Sequence, residues 1–210
     1  MISPRIFTGG DLATNGYLLE GKEGFICFDA PEGMARELMR TETKPVTLLL
    51  THGHFDHMWD SVLIQEDHHC PLYVHKADED IVRDPSYVKM FGISGPIRAP
   101  QDIHSLEVPE GGTAKFKCAG EEFQLFHIPG HSPGSVAFYH PGWGVLISGD
   151  TLFCGGVGRW DLPGGDRDLL FTGIRTKLFP LGDAIKVIPG HGPATTIHQE
   201  RMTNPYVGDL

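Results

Sequence analysis

Between Leu48 and His57 the sequence reads LLLTHGHFDH, three histidines and an aspartate within six residues behind an apolar run. Imidazole nitrogen and carboxylate oxygen are the donors that zinc and iron accept, so the chemistry this stretch offers is metal binding. His52 and His54, two residues apart on an extended turn, can point to one side and share an ion. Asp56 and His57 alternate with them at the start of the next helix, placed to serve a second ion beside the first. Four ligands do not complete two sites.

Three further segments offer donors in the same style. FHIPGHSPGS places His131 in a Pro/Gly turn after an apolar run, GVLISGDT places Asp150 directly after another, and KVIPGHGPA places His191 after a third. Each is an apolar run, a glycine that lets the backbone turn sharply, and a ligand-type residue. Taken singly, His131 and His191 read as turn histidines and Asp150 as a helix or loop cap. Taken together, five histidines and two carboxylates at the ends of four strands read as two metal sites that keep an open position for water. A carboxylate can bridge two ions, and Asp150 is the residue best suited to it. The remaining histidines lack such context: His68 and His69 suit a helix end, and His75, His104, His127, His140 and His198 read as surface or core residues.

These donors need strands that end together. NGYLLEG and GFICFDA are short apolar runs joined by a GKEG hairpin turn. PEGMARELMR carries apolar residues at helical spacing, KPVTLLLTH is a buried strand, and HMWDSVLIQEDHH returns to helical offsets. PLYVHKADEDIV reads as a strand and a short helix. Residues 84–112 are rich in turn residues and poor in periodicity, which predicts an excursion over one edge, a candidate lid. TAKFKCA, EEFQLFHIPG, SVAFYHP and GVLISGD follow as four strands spaced like a meander. A helix around 166–179, the strand AIKVIPG and a last short helix near 195–203 close the chain. Strand-rich halves each followed by helices predict an α/β fold of the α+β kind: a four-layer αββα sandwich in one domain spanning 1–210.

Composition narrows the partners. A formal charge of −10 and the lack of any Lys/Arg stripe argue against a nucleic-acid or anionic-membrane surface, which needs a positive footprint. No apolar run approaches the ~20 residues of a membrane helix, and MISPRIFTGG lacks the pattern of a secretion signal. The expectation is a cytoplasmic protein acting on a small molecule. Its four cysteines, Cys27, Cys70, Cys118 and Cys154, form no C-x-x-C pair and are expected to be reduced. The first three read as small buried residues, while Cys154 stays open because it lies in a loop close to Asp150.

THGHFDH, PGHSPGS, SGDTLF and PGHGP together resemble, in order and context, the metal motifs of the metallo-β-lactamase fold superfamily, over about residues 12–200. GDTLFCGGVGRWDLPGGD and GHGPATTIHQERMTNP are similar to the glyoxalase II-like hydroxyacylglutathione hydrolases, in particular their short bacterial-type members. The resemblance implies that His52, His54 and His131 hold one divalent ion and Asp56, His57 and His191 another, with Asp150 bridging. It implies zinc, with iron or manganese as alternatives, and hydrolysis of an acyl thioester by a hydroxide bridging the two ions. Asp56 and Asp150 would then be catalytic as well as ligating. Arg159 is a candidate for an acidic substrate or for fixing its own loop through Asp161 and Asp166, the structural role being favoured. Persulfide dioxygenases share these motifs with one iron on His52, His131 and Asp150. A lactonase is a third enzymatic reading, and a non-catalytic metal-binding module is the reading from another class.

Overall fold

Apolar runs bounded by glycine and proline become strands in this protein, which we describe from a computed structural model covering residues 4–92 and 97–209. The described residues up to Leu106, with Cys118–Glu121, make one compact unit, and Glu107–Lys117 with the residues from Glu122 onward make a second.

In the first unit, β1 (Arg5–Gly9), β2 (Thr14–Gly21) and β3 (Gly24–Phe28) form an antiparallel meander. Helix α1 (Met34–Arg40) then crosses back so that β4 (Pro45–Leu49) runs parallel to β3. Two short helices follow, α2 (Phe55–Met58) and α3 (Ser61–His68), leading to β5 (Leu72–His75), α4 (Glu79–Arg83) and β6 (Ile103–Leu106). The sheet order is the chain order, β1 to β6. Met34 and Leu38 of α1 and Ile64 of α3 pack with Leu48, Leu50, Leu72 and Val74 in one core. A buried leucine of this kind is worth roughly 2–5 kcal/mol on truncation to alanine.

The second unit holds β7 (Thr113–Cys118) and β8 (Glu121–His127) apart from Cys118 and Glu121, together with β9 (Val136–His140) and β10 (Val145–Gly149). A two-stranded hairpin follows, β11 (Leu152–Phe153) and β12 (Gly156–Val157), then α5 (Arg167–Gly173). β13 (Lys186–Pro189) enters parallel to β10, and β14 (Thr195–Thr196) and α6 (Ile197–Thr203) end the regular structure. The order is β14-β13-β10-β9-β8-β7. Leu170, Phe171, Ile174 and Ile197 pack with Phe126, Leu146 and Val187 in a core of their own.

Several expectations need correction. The helix read through HMWDSVLIQEDHH is interrupted after Met58, and β1 and the β11–β12 hairpin were not foreseen because their runs are too short or too exposed to show a period. The helix read over 166–179 is α5 followed by a π-helical turn, Ile174–Leu178, and a 3-10 turn, Phe179–Leu181. Residues 93–96 of the expected 84–112 excursion lie outside the described residues. Of the rest, Pro85–Phe91 is a 3-10 run, and β6 is a strand paired in parallel from Leu72↔Ile103 to His75↔Leu106. Parallel edge pairing draws its stability from the neighbouring strand, which leaves little trace in the edge sequence. Among the described residues no helix is long and apolar enough to cross a membrane. The four thiols are free, with Cys27 and Cys70 buried, Cys118 half-buried and Cys154 exposed.

Candidate metal centre

Each donor segment follows the end of a strand. His52 lies just beyond β4, His131 beyond β8, Asp150 directly after β10 and His191 just past β13. Strand ends in such sheets leave the backbone free to turn, which is where α/β proteins place their chemistry. At Gly130 the turn demands glycine: φ is +133°, and a Cβ there would run into the Asp166 carbonyl and come within 2.7 Å of Leu170. The Asp166 N–H donates back to Gly130 O at 2.8 Å, so the His131 loop is seated on the start of α5.

Behind the loop from Thr51 to His57 stands Asp29, a fully buried residue in the left-handed region (φ +55°). Its Oδ1 accepts the Thr51 N–H at 2.8 Å, and its Oδ2 accepts the Thr51 hydroxyl at 2.9 Å and His57 Nδ1–H at 2.8 Å. The Thr51 proton is thereby committed, so at 3.1 Å its oxygen serves as acceptor for His52 Nδ1–H. His52 and His57 are both left with a lone pair on Nε2. In the second unit His131 Nδ1–H donates to the Arg159 carbonyl at 2.8 Å, with the same consequence. Such partners fix the tautomer and orientation of a ligating imidazole. Asp56 is held as well, its Oδ2 accepting the Thr14 hydroxyl at 2.7 Å.

The spacing of the donor atoms fits a small cation. His52 Nε2 and His54 Nδ1 are 3.1 Å apart. His57 Nε2 lies 3.4 Å from Asp56 Oδ2, while Asp150 Oδ2 lies 3.5 Å from His131 Nε2 and 3.3 Å from His191 Nε2. Two ligand atoms on a tetrahedral zinc at 2.0–2.1 Å would be about 3.3 Å apart. Within the first unit His52, His54, Asp56 and His57 bring their donor atoms together on one loop, and within the second Asp150 Oδ2 lies within reach of both His131 and His191. The donor set and its tautomers suit a divalent ion of the zinc or iron type, with Asp150 Oδ2 shared between two histidines.

Arg159 pairs within its own loop. Its guanidinium makes a two-pronged pair with Asp161, both contacts 2.8 Å, on an exposed surface. Asp166, expected as a second partner, instead caps α5 by accepting the Leu169 N–H at 3.0 Å. Among the histidines outside the donor segments, His75, His127 and His140 are buried, and His104 and His198 sit beside Asp102 and Asp183 at the surface.

Sequence reasoning missed Asp29, Thr14 and Thr51. Asp29 had a signal: it ends the apolar run GFICFDA just as Asp150 ends GVLISGD. Asp78 and Tyr87, which also bond to this loop, had none.

The sequence matches the metallo-beta-lactamase superfamily over residues 9–191. The hydroxyacylglutathione hydrolase GloC of Haemophilus influenzae is 36% identical over 162 residues, covering 76% of this chain and 74% of GloC. Among solved structures, the BLEG-1 B3 metallo-beta-lactamase is 35% identical with a TM-score of 0.88, over 98% of this chain and 99% of that one. TTHA1623, solved in a di-iron-bound form, is 38% identical with a TM-score of 0.84, over 96% and 99%. The fold is that of the metallo-beta-lactamases.

Proposed function

Because this chain belongs to the metallo-beta-lactamase superfamily, we propose that it is a metal-dependent hydrolase of acyl thioesters. In this reading His52, His54 and His131 hold one divalent ion, Asp56, His57 and His191 hold a second, and Asp150 ligates both. The observation that carries it is the tautomer control: His52 and His57 in the first unit and His131 in the second are each held through Nδ1 so that Nε2 keeps its lone pair. The similarity to GloC supports a thioester as the substrate class.

When bound, the ions would lower the pKa of a water to about 7 and polarise the acyl carbonyl. The chain's own residues do the rest. Asp29, Thr51 and the Arg159 carbonyl hold three imidazoles in the tautomer that presents Nε2. Asp56, steadied by Thr14, orients the attacking water as well as ligating. A thiolate leaves readily, since a free thiol has a pKa near ~8.5, so the site needs no dedicated general acid.

The test is metal analysis of the purified protein paired with two assays, hydrolysis of a hydroxyacyl-glutathione thioester and oxygen uptake with glutathione persulfide. Two equivalents of zinc or iron with thioester turnover are expected. One iron with oxygen consumption and no hydrolysis would overturn the proposal in favour of a dioxygenase.

A further inference from the structure

The metal loop is held by a second segment as well. In addition to Asp29, the segment after β5 takes two of the loop's backbone amides. Asp78, fully buried, accepts the Gly53 N–H through Oδ2 at 2.8 Å. Tyr87, in the 3-10 run Pro85–Phe91, accepts the Phe55 N–H through its phenol oxygen at 2.7 Å. Gly53 and Phe55 lie between the donor residues His52, His54 and Asp56, so these two bonds grip the loop at alternate residues.

The gripping segment is itself tied down. His75 Nδ1 accepts the Ala77 N–H at 3.3 Å and so opens the turn that presents Asp78. The Ser105 hydroxyl on β6 donates to Glu79 of α4, and Arg83 pairs with Glu79 at 3.2 Å one turn on. Ile81 of α4 packs so closely on Gly53 that a Cβ there would come within 2.7 Å of Ile81 Cγ1. A backbone approach this close needs glycine at position 53.

We propose that Asp78 and Tyr87 are positioning residues for the metal loop. By fixing the amides of Gly53 and Phe55 they set where His52, His54 and Asp56 present their donor atoms, and an ion is bound less tightly without them. Part of the stretch expected as a lid is thus a brace for the donors. The inference rests on reading the Thr51–His57 loop as a metal loop; it does not depend on which substrate is hydrolysed.

The test uses the full chain and two readouts other than activity: Zn²⁺ affinity by chelator competition, and hydrogen exchange at individual amides of the metal-free protein. Tyr87→Phe keeps the ring and removes the hydroxyl that accepts the Phe55 N–H; it is expected to speed exchange at Phe55 but not at Gly53. Asp78→Ala is expected to do the reverse. Each should weaken Zn²⁺ by about 10- to 100-fold, the usual effect of removing a group that holds a ligand. Asp78→Asn, which retains an acceptor oxygen, should recover most of the affinity. Val88→Ala, which trims a buried side chain of the same segment without touching either amide, should lower stability and leave Zn²⁺ affinity unchanged. Should Asp78→Ala fail to fold, Tyr87→Phe and Asp78→Asn carry the comparison. Affinity equal to wild type in Tyr87→Phe, or an equal loss in Val88→Ala, would overturn the inference alone. A wild-type protein that takes up no metal would overturn the proposed function together with it.

Discussion

Asp29 and His57 form a fully buried pair, Oδ2 to Nδ1 at 2.8 Å, although one directly follows strand β3 and the other lies in helix α2 nearly thirty residues later. The same carboxylate holds Thr51, and through it His52, so one aspartate sets two of the donor imidazoles.

Replacing it isolates that role. Asparagine tolerates the left-handed backbone of position 29, so Asp29→Asn should leave the turn intact. Its amide cannot accept at both ends, and at least one of the donors from Thr51 and His57 is left facing an N–H. We expect a stability loss of about 1–3 kcal/mol, the cost of a stranded buried polar group. Metal affinity should fall by about 10- to 100-fold. Urea unfolding and chelator competition measure the two separately.

His54→Ala removes one donor from the proposed site of His52, His54 and His131 but leaves the proposed site of Asp56, His57 and His191 whole. Metal content should fall towards one ion per chain. Thioester kcat/KM should drop by at least about 100-fold, in keeping with the several kcal/mol an ion contributes. Retained oxygen consumption with a persulfide in this variant would point to the single-iron reaction instead.

Gly130→Ala tests the seat of His131. The added methyl meets the Asp166 carbonyl and Leu170, so either α5 or the loop must give way, and the positive φ adds strain of its own. A destabilisation of about 1–3 kcal/mol is expected. Because the displaced loop carries His131, metal affinity should weaken together with thermal stability. Loss of stability with undiminished affinity would show that α5 yields and the loop does not.

Buried thiols set the alkaline limit. Burial pushes the Cys27 thiol well above its ordinary value, with Cys70 and Asp29 adding to the effect, and pushes Cys70 up to about 11. Both groups favour the neutral form when folded, so their contribution is fully present below the unfolded pKa near ~8.5 and is lost as pH rises beyond it. Each thiol ionised only in the unfolded chain lowers stability by about 1.4 kcal/mol per pH unit. The urea midpoint should therefore hold steady to pH 8 and decline between pH 9 and 11. Cys70→Ala should show a shallower decline, whatever its stability at neutral pH.

The sequence by itself determined the strand ends and what stands on them. Apolar runs followed by glycine and a donor are local patterns, and they single out His52, His54, Asp56, His57, His131, Asp150 and His191 as the candidate donors. Families that share a mechanism keep these patterns, so the superfamily was legible as well. Only the tertiary structure decided which groups hold the donors in place. Asp29, Thr14, Asp78 and Tyr87 act across 22 to 42 residues of chain, through bonds whose partners have no local signature. The same holds for β6, a four-residue edge strand that exists because β5 offers it a ladder. Donor identity is a property of residue type and local turn, whereas donor orientation comes from hydrogen bonds between segments distant in sequence, which form only in the folded chain.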